Sequence, residues 1–231
     1  VESYGIYLDQ YDYLWIITAE NFRRINTISG EVDELAEIEN ALEDKNIYGV
    51  LGFLPNSTSM LLSTNDALWS YDVNAKTIAK LYSFPGNLEG EYFFVESWII
   101  DKNNVLWLAL SGKGLVGLDA SSYQQKYFFS NKNSAIDNNL YGLTQDNEDH
   151  LWFSSHNGIY VFDVDSLHFR NFNVVDGLSA REFNFNAFEQ LADGRLAYGS
   201  INGFSLFDPM TLKQKNADDE FGVRTTNLSI L

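Results

Sequence analysis

The sequence predicts an all-β fold assembled from five repeated units of four strands, and three observations carry that prediction. The first is a pair of residues that recurs along the chain at Leu14-Trp15, Met60-Leu61, Leu106-Trp107, Leu151-Trp152 and Leu196-Ala197. The second residues of these pairs are spaced by 46, 46, 45 and 45 positions. A period this regular is typical of a repeat architecture.

The second observation is that each period contains the same order of four short segments. In the fourth unit they read "YGLTQD", "LWFSS", "IYVFD" and "HFRNFN", separated by polar turns. The third is that middle segments such as "LWIIT" and "FSLFD" are apolar throughout, as in strands covered on both faces. Four short strands in a period of about 45 residues are the pattern of a β-propeller blade.

The turn before each recurring pair supports hairpins. Three positions before the second residue of the pair stand Asp12, Asn104, Asp149 and Gly194, which are residue types that tolerate positive φ. The second unit has Thr58 there, so we expect its turn to have another shape. In the first unit "DELAEIENALEDKN", residues 33–46, has apolar residues at helical spacing. The repeat period instead predicts an outer strand and a connecting loop in that window, with a short helical turn as the alternative.

Composition excludes several functions. The 231 residues include 15 Lys and Arg against 32 Asp and Glu, a formal charge of −17 that disfavours binding to nucleic acid and to anionic membrane surfaces. The chain has no cysteine and hence no disulfide. It begins with Val1 and shows neither a signal peptide nor an apolar run of 18 residues, so we expect a soluble piece of a longer protein.

The repeat resembles that of the two-component regulator propellers. The matching motif, Asp-x-x-(Gly/Asn/Asp)-x-Leu-Trp, is carried by residues 9–15, 101–107 and 146–152. The segment "DGLSAREFNFNAFEQLADGRLAYGSINGFSLFDP", residues 176–209, resembles the last blade of these sensors. The second unit lacks both the Asp and the Trp. Five units are fewer than the seven usual in the family, so the chain is either a segment of a larger propeller or a smaller variant.

The resemblance implies a non-catalytic, ligand-sensing module in the periplasmic or extracellular portion of an inner-membrane receptor. Such propellers are followed by a small β-sandwich, a membrane helix and a histidine kinase or diguanylate cyclase, and several sense glycans. It implies a carbohydrate or other polar small molecule as ligand, no cofactor, and dimerisation of the full-length receptor. We accordingly divide the chain into blades, residues 1–212, and a linker with the first β-sandwich strand, residues 213–231. In that tail, residues 225–231 are predicted to form a strand outside the blade pattern.

Few sequence motifs indicate catalysis or metal binding. The three histidines, His150, His156 and His168, form no HExxH pair, and the chain has no GxSxG elbow or phosphate-binding loop. A propeller hydrolase, the least favoured of the alternatives, would need clustered carboxylates with shifted pKa values in a cleft. The segment "DNED", residues 146–149, offers oxygen ligands for calcium, but a turn stabilised by Asp146 and Asp149 is the better reading.

Candidate ligand-binding residues come from the end of the blades where the second-to-third-strand turns and the loops into each innermost strand meet. These turns vary between units, and variation within a repeat is where specificity can be placed. They are at residues 20–21, 65–66, 112–113, 156–157 and 201–202, and the loops are at 91–92, 138–141 and 181–184. The tentative binding residues are Trp98, Lys113, Tyr141, His156, Arg181, Asn184 and Asn186. The alternatives are channel filling by these side chains, and a propeller scaffold for dimerisation or partner docking. The recurring tryptophans Trp15, Trp107 and Trp152 are assigned to packing between blades.

Overall fold

The computed structural model describes residues 3–18, 22–42, 47–84 and 95–214. They form five antiparallel sheets, and the fold class is the β-propeller, as the repeat predicted. The chain divides into two compact units, residues 1–95 and residues 96–231.

The first unit contains two sheets of four strands, in the orders β1-β2-β3-β4 and β5-β6-β7-β8. The strands of the first sheet are β1 (Ser3–Leu8), β2 (Tyr13–Thr18), β3 (Phe22–Asn26) and β4 (Val32–Glu34). The strands of the second are β5 (Ile47–Phe53), β6 (Ser59–Thr64), β7 (Ala67–Asp72) and β8 (Thr77–Ser83). Between the sheets lies a short helix, α1 (Ala36–Ala41).

The second unit contains three sheets, of which the first is β9-β10-β11-β12 and the second β13-β14-β15-β16. Their strands are β9 (Val95–Ile100), β10 (Val105–Leu110), β11 (Gly114–Asp119), β12 (Gln125–Phe129), β13 (Leu140–Gln145), β14 (Leu151–Ser155), β15 (Gly158–Asp163) and β16 (His168–Phe172). A 3-10 helix (Val174–Asp176) leads to the last sheet, β17 (Phe183–Gln190), β18 (Leu196–Ser200) and β19 (Gly203–Phe207), and α2 (Pro209–Gln214) follows.

The repeat pattern predicted the strand positions well, since every recurring pair lies on the second strand of its sheet. Asp12, Asn104, Asp149 and Gly194 all have positive φ, between 56° and 86°. The second unit of the repeat differs as expected: its left-handed residue is Asn56 rather than Thr58.

Two features differ from the predicted pattern. The window 33–46 was predicted as outer strand and loop, but β4 has only three residues and α1 follows it. Leu35, Ile38 and Leu42 are buried there, so the helically spaced apolar residues are satisfied by packing into the core. The last sheet has three strands within the described residues, because β19 is followed by α2.

The tail lies largely outside the described residues. Of the predicted linker, Lys213 and Gln214 are the last residues of α2. The strand predicted at residues 225–231 is outside the described ranges.

A repeated aspartate explains the sequence motif. In three sheets its Oδ2 accepts a 2.8 Å hydrogen bond from the indole Nε1 of the recurring tryptophan, and its Oδ1 accepts two backbone N–H groups of the turn. The pairs are Asp9–Trp15, Asp101–Trp107 and Asp146–Trp152. One buried carboxylate therefore closes the first hairpin and orients the largest core side chain.

The second sheet has a different hydrogen bond in place of this aspartate–tryptophan pair. It has Leu61 on β6 in place of a tryptophan, and Trp69 lies instead on the neighbouring strand β7. The Trp69 indole donates to Thr64 Oγ1 at 3.1 Å. The missing Asp and Trp of this repeat are thus replaced by a pair at the other end of β6.

Buried side chains fill the spaces between the sheets within each unit. In the second unit, one cluster joins Trp107 to Phe153 and Phe162, and another joins Trp152 to Tyr198 and Phe207. Trp15, Trp107 and Trp152 have no exposed surface, which confirms their assignment to the core. Trp107 faces Gly117 across the β10–β11 pair, and a Cβ there would lie 2.7 Å from the indole ring.

Candidate functional site

In the second unit, three loops meet around one cavity of about 500 Å³. They are the β12–β13 loop, the β14–β15 turn and the β16–β17 loop. The Gly158 N–H donates to the Arg181 carbonyl at 2.7 Å, so the turn is tied to the loop that leads to the last sheet. The lining residues are Asn131, Ser134, Ala135, Ile136, Asp137, His156, Asn157, Tyr160 and Arg181.

Arg181 is fixed at this cavity by the neighbouring turn. Its Nε donates a 2.7 Å hydrogen bond to Asn157 Oδ1. Asn157 is itself held at both ends, since its N–H donates to Ser155 Oγ at 2.8 Å and its carbonyl accepts from Asn171 Nδ2 at 2.9 Å. An exposed guanidinium positioned in this way presents a rigid fork of donors to a bound molecule.

Tyr141 and His156 form the second fixed pair. The Tyr141 hydroxyl lies 2.9 Å from His156 Nε2, and the ring centroids are 5.6 Å apart. Burial raises the pKa of Tyr141, and the negative charges of Glu96, Asp137 and Glu182 raise it further. The hydroxyl therefore stays protonated and donates to His156 when Nε2 carries no proton.

Glu96, on the innermost strand β9, adds a titratable carboxyl near Tyr141. Burial raises the pKa of Glu96 to about 7, against which a hydrogen bond from Ser111 lowers it. At neutral pH this carboxyl is partly protonated and can both donate and accept a hydrogen bond. Sequence reasoning missed Glu96, although a charged residue within the apolar run "FFVESWII" was a usable signal.

The structure brings together three of the seven residues predicted from the sequence. Tyr141 contacts His156, and Arg181 reaches the same turn through Asn157. Of these three, His156 and Arg181 line the cavity, and Tyr141 is connected to it through His156. The other four also lie outside the lining: Trp98 is half-buried on β9, Lys113 is half-buried in the β10–β11 turn, and Asn184 and Asn186 are exposed on β17. Asn186 has φ 52° within a register shift between Phe183 and Phe188. The predicted site segments 20–21 and 91–92 are outside the described residues.

Asp137 and Tyr160 also line the cavity and were not predicted. Asp137 precedes an innermost strand, in a loop that the repeat marked as variable, so its position was accessible to sequence reasoning. Tyr160 lies on the third strand β15 in an apolar run, and no pattern distinguished it from core residues.

The turn at residues 146–149 is stabilised by the protein itself. Asp146 accepts the N–H groups of Glu148 and His150 and the Trp152 indole, as the turn reading predicted, and Asp149 supplies the positive φ of 66°. A cation also reaches this carboxylate, since Lys213 Nζ lies 2.7 Å from Asp146 Oδ2. Among the described residues, no group of three or more His, Asp or Glu side chains is arranged to hold a metal ion.

Comparison with known proteins supports the fold. The sequence matches no protein-family model and no curated protein. One solved structure similar to this chain is the extracellular domain of the putative hybrid two component system BT4673 from B. thetaiotaomicron, with 19% identity and a TM-score of 0.67 over 86% of this chain and 26% of that one. The corresponding domain of BT3049 from the same organism gives 15% identity and a TM-score of 0.65 over 90% of this chain and 29% of that one.

A further match shows how widely the fold is used. A chain of the Mitotic Checkpoint Complex has 16% identity and a TM-score of 0.65, over 91% of this chain and 62% of that one. At such identities the likeness concerns the fold, and function has to be argued from the site. Neither helix among the described residues is long and apolar enough to cross a membrane. The chain spans about a quarter of the two extracellular domains it matches, and it is a β-propeller similar in fold to the class of receptor that its repeat motif resembles.

Proposed function

We propose that this chain is the ligand-sensing part of the extracellular region of a bacterial membrane receptor, and that the cavity of the second unit binds the ligand. The observation that carries the proposal is that His156 and Arg181, from two separate loops, line one cavity of about 500 Å³, where Tyr141 and Asn157 hold them in place. The extracellular domains with a similar fold support the receptor context. The signalling output and the membrane anchor belong to parts of such receptors that this chain does not match.

The ligand that suits this cavity is a carbohydrate or another polar small molecule. The lining offers a guanidinium, an imidazole, a carboxylate and amides, which bind hydroxyl groups through directional hydrogen bonds. Stacking contributes little, because Tyr141 and Tyr160 are 8% and 3% exposed and Trp98 lies outside the lining. We therefore expect recognition by hydrogen bonding rather than by aromatic stacking.

The proposed activity is binding without turnover. The polar groups at the cavity are held by neighbouring side chains, Arg181 by Asn157 and His156 by Tyr141. Ligand capture that repositions these loops is sufficient for a sensor. Dimerisation of the full-length receptor would then pass the change to an output domain, as the resemblance of the repeat implies.

A glycan array followed by thermal shift and calorimetry on the soluble chain tests the proposal. We expect Arg181→Ala and His156→Ala to weaken binding of the array's best ligand about tenfold or more, as expected when a hydrogen bond to the ligand is lost. Arg195→Ala is the matched control, because Arg195 is an exposed arginine paired with Asp193 in the β17–β18 turn. Binding that is equal in all three variants would reject this cavity as the site.

Native mass spectrometry on the same samples distinguishes ligand sensing from the alternative function, a propeller scaffold for dimerisation or partner docking. A chain that binds no array component but forms a stable dimer would favour a scaffold. In that case Arg181→Ala should leave the dimer unchanged.

A further inference from the structure

The first unit contains a second cavity, of about 390 Å³, at the other end of the strands. It lies by the β1–β2 hairpin, the β5–β6 hairpin and the β7–β8 turn, whereas the site described above lies by a second-to-third-strand turn. The residues that line it are Asp9, Tyr11, Tyr13, Arg24, Phe53, Thr58, Val73 and Asn74.

Three of the residues that line this cavity, Tyr11, Tyr13 and Phe53, are aromatic. Tyr11 is 55% exposed and lies edge-on to Phe53, with centroids 6.3 Å apart and planes at 84°. The Tyr11 N–H donates to Asp9 Oδ1 at 2.8 Å, which fixes the residue in its turn. A large aromatic side chain held at the rim of a cavity, with half of its surface in solvent, provides a platform for the apolar face of a ring.

The two charged side chains that line the cavity already have partners within the protein. Arg24 Nε donates to Asp33 Oδ2 at 2.7 Å, and the guanidinium stacks over Tyr13 at 4.4 Å from the ring centroid. Asp9 accepts two backbone N–H groups and the Trp15 indole. The Asp9 oxygens are occupied by three donors and the Arg24 guanidinium is paired with Asp33, so neither side chain is available to pair with a charged ligand and we expect a neutral one.

The remaining polar groups are neutral and suited to hydroxyls. Thr58 donates to Asp72 Oδ2 at 2.9 Å, and its oxygen retains acceptor capacity. Asn74 is exposed in the β7–β8 turn, where its backbone is fixed by a 2.9 Å bond to Asp72 Oδ1. A cavity lined by an exposed aromatic side chain, an amide and a hydroxyl fits a ring with one apolar face and hydroxyl groups at its edge.

We propose that this cavity binds a neutral sugar ring, stacked on Tyr11 and hydrogen-bonded to Asn74. Its volume is near the lower end of the roughly 300–1,000 Å³ typical of ligand sites, which suits a single small saccharide rather than a long chain along a groove. The site is separate from the Arg181 cavity and does not depend on the function proposed for it.

Saturation-transfer NMR tests this site with named probes: glucose, galactose, mannose, maltose and cellobiose, with glucuronate and glucosamine as charged analogues. We expect at least one neutral sugar to bind the wild-type chain with its ring protons saturated most strongly, and glucuronate and glucosamine to bind more weakly. Tyr11→Ala should weaken that binding tenfold or more. Tyr11→Phe keeps the ring and should stay within about threefold of wild type.

Two controls make the result specific. Phe185→Ala removes another exposed aromatic residue, 65% exposed on β17, and should leave binding unchanged. Arg181→Ala should also leave it unchanged, which separates this site from the first cavity. The proposal is overturned if no neutral sugar binds at 10 mM, if a charged analogue binds more tightly, or if Tyr11→Ala binds as wild type does.

Discussion

At the scale of single residues, the repeated aspartate has the largest structural role relative to its size. Asp101 is 6% exposed, and its carboxylate accepts the N–H groups of Asn103 and Val105 and the Trp107 indole. Hydrogen bonds to a buried carboxylate are stronger than neutral ones, and an unpaired donor in the core is costly. This side chain therefore determines both the turn and the position of Trp107.

Asp101→Ala should lower the free energy of unfolding by about 2–4 kcal/mol, because three donors lose their acceptor. Urea denaturation followed by tryptophan fluorescence measures the change. Asp193→Ala is the control, since Asp193 is 54% exposed and pairs only with Arg195 among the described residues; it should cost less than about 0.5 kcal/mol. Equal effects of the two substitutions would contradict this role of Asp101.

Glu96 gives the second prediction at this scale. Its pKa rises from an ordinary value of 4.5 to about 7 in the folded chain, so the folded state binds the proton more tightly than the unfolded state does. Stability contributed by the protonated form is complete below pH 4.5 and is lost as the pH rises to about 7. Glu96→Gln should remove this loss, on the order of 1 kcal/mol after solvent screening.

Unfolding of the wild-type and Glu96→Gln chains at pH 5 and pH 8 checks this prediction. The difference between the two chains should be larger at pH 8, with the variant the more stable. A difference that is the same at both pH values would show that Glu96 does not titrate in this range.

At the scale of elements, the sequence predicted the repeated strands better than it predicted the segments that depart from the repeat. The recurring pairs placed the second strand of all five sheets, because strand order and turn chemistry repeat together. The helix α1 was predicted only as the alternative, because a period derived from the other blades gives no information on a local insertion in one of them.

At the site, Tyr141, His156 and Arg181 were predicted from loop variation. Their grouping with Asn157 depends on loop conformations that no sequence pattern encodes.

The contact between the last two sheets provides an element-scale prediction. Gly142 on β13 has φ 66°, and a Cβ there would lie 2.5 Å from Phe188 Cγ on β17. Gly142→Ala should cost about 2–4 kcal/mol, from backbone strain and from the clash. Gly112 has a similar φ of 72° and open space around it, so Gly112→Ala reports the strain alone.

Thermal unfolding of both glycine variants separates the two contributions. We expect Gly142→Ala to lower Tm more than Gly112→Ala does, and Phe188→Leu to recover part of that loss in the double variant. Equal Tm values for the two single variants would mean that β17 moves away from β13 at little cost.

At the scale of the whole molecule, residues that repeat between the sheets and residues that do not repeat have different roles. The first-to-second-strand turns carry the aspartate bonds that build the core in three of the sheets. The second-to-third-strand turn at His156 and Asn157 is free of that task and lines a cavity. The residues that repeat between sheets therefore stabilise the fold, and residues that differ between sheets are available to bind a ligand.

The chain beyond the blades is connected to this arrangement through Lys213. Its Nζ lies 2.7 Å from Asp146 Oδ2, 2.6 Å from Glu148 Oε2 and 3.0 Å from His150 Nδ1, with 15% of the side chain exposed. Burial raises the pKa of Asp146, but the hydrogen bonds from Lys213, Trp152 and the turn lower it more, so the carboxyl stays ionised. Lys213→Ala leaves that buried charge with fewer partners.

We expect Lys213→Ala to destabilise the chain by about 1–3 kcal/mol and to speed hydrogen exchange in α2 and in the 146–149 turn. Lys126→Ala is the control, because Lys126 is 41% exposed and pairs with Asp119 at the surface. Unchanged exchange in α2 would show that Lys213 does not hold the helix.

The position of Lys213 also has a mechanical consequence. Tension on the chain after Gln214 is transmitted through α2 and the Lys213 ammonium to the Asp146 carboxylate, which is hydrogen-bonded to Trp152 on β14. The same strand, β14, leads directly into the turn that presents His156 and Asn157 to the cavity. A bound molecule that acts on that turn and a pulling force that acts on residue 214 therefore both load β14. A force-spectroscopy trace pulled from this end should rupture at higher force when the cavity is occupied.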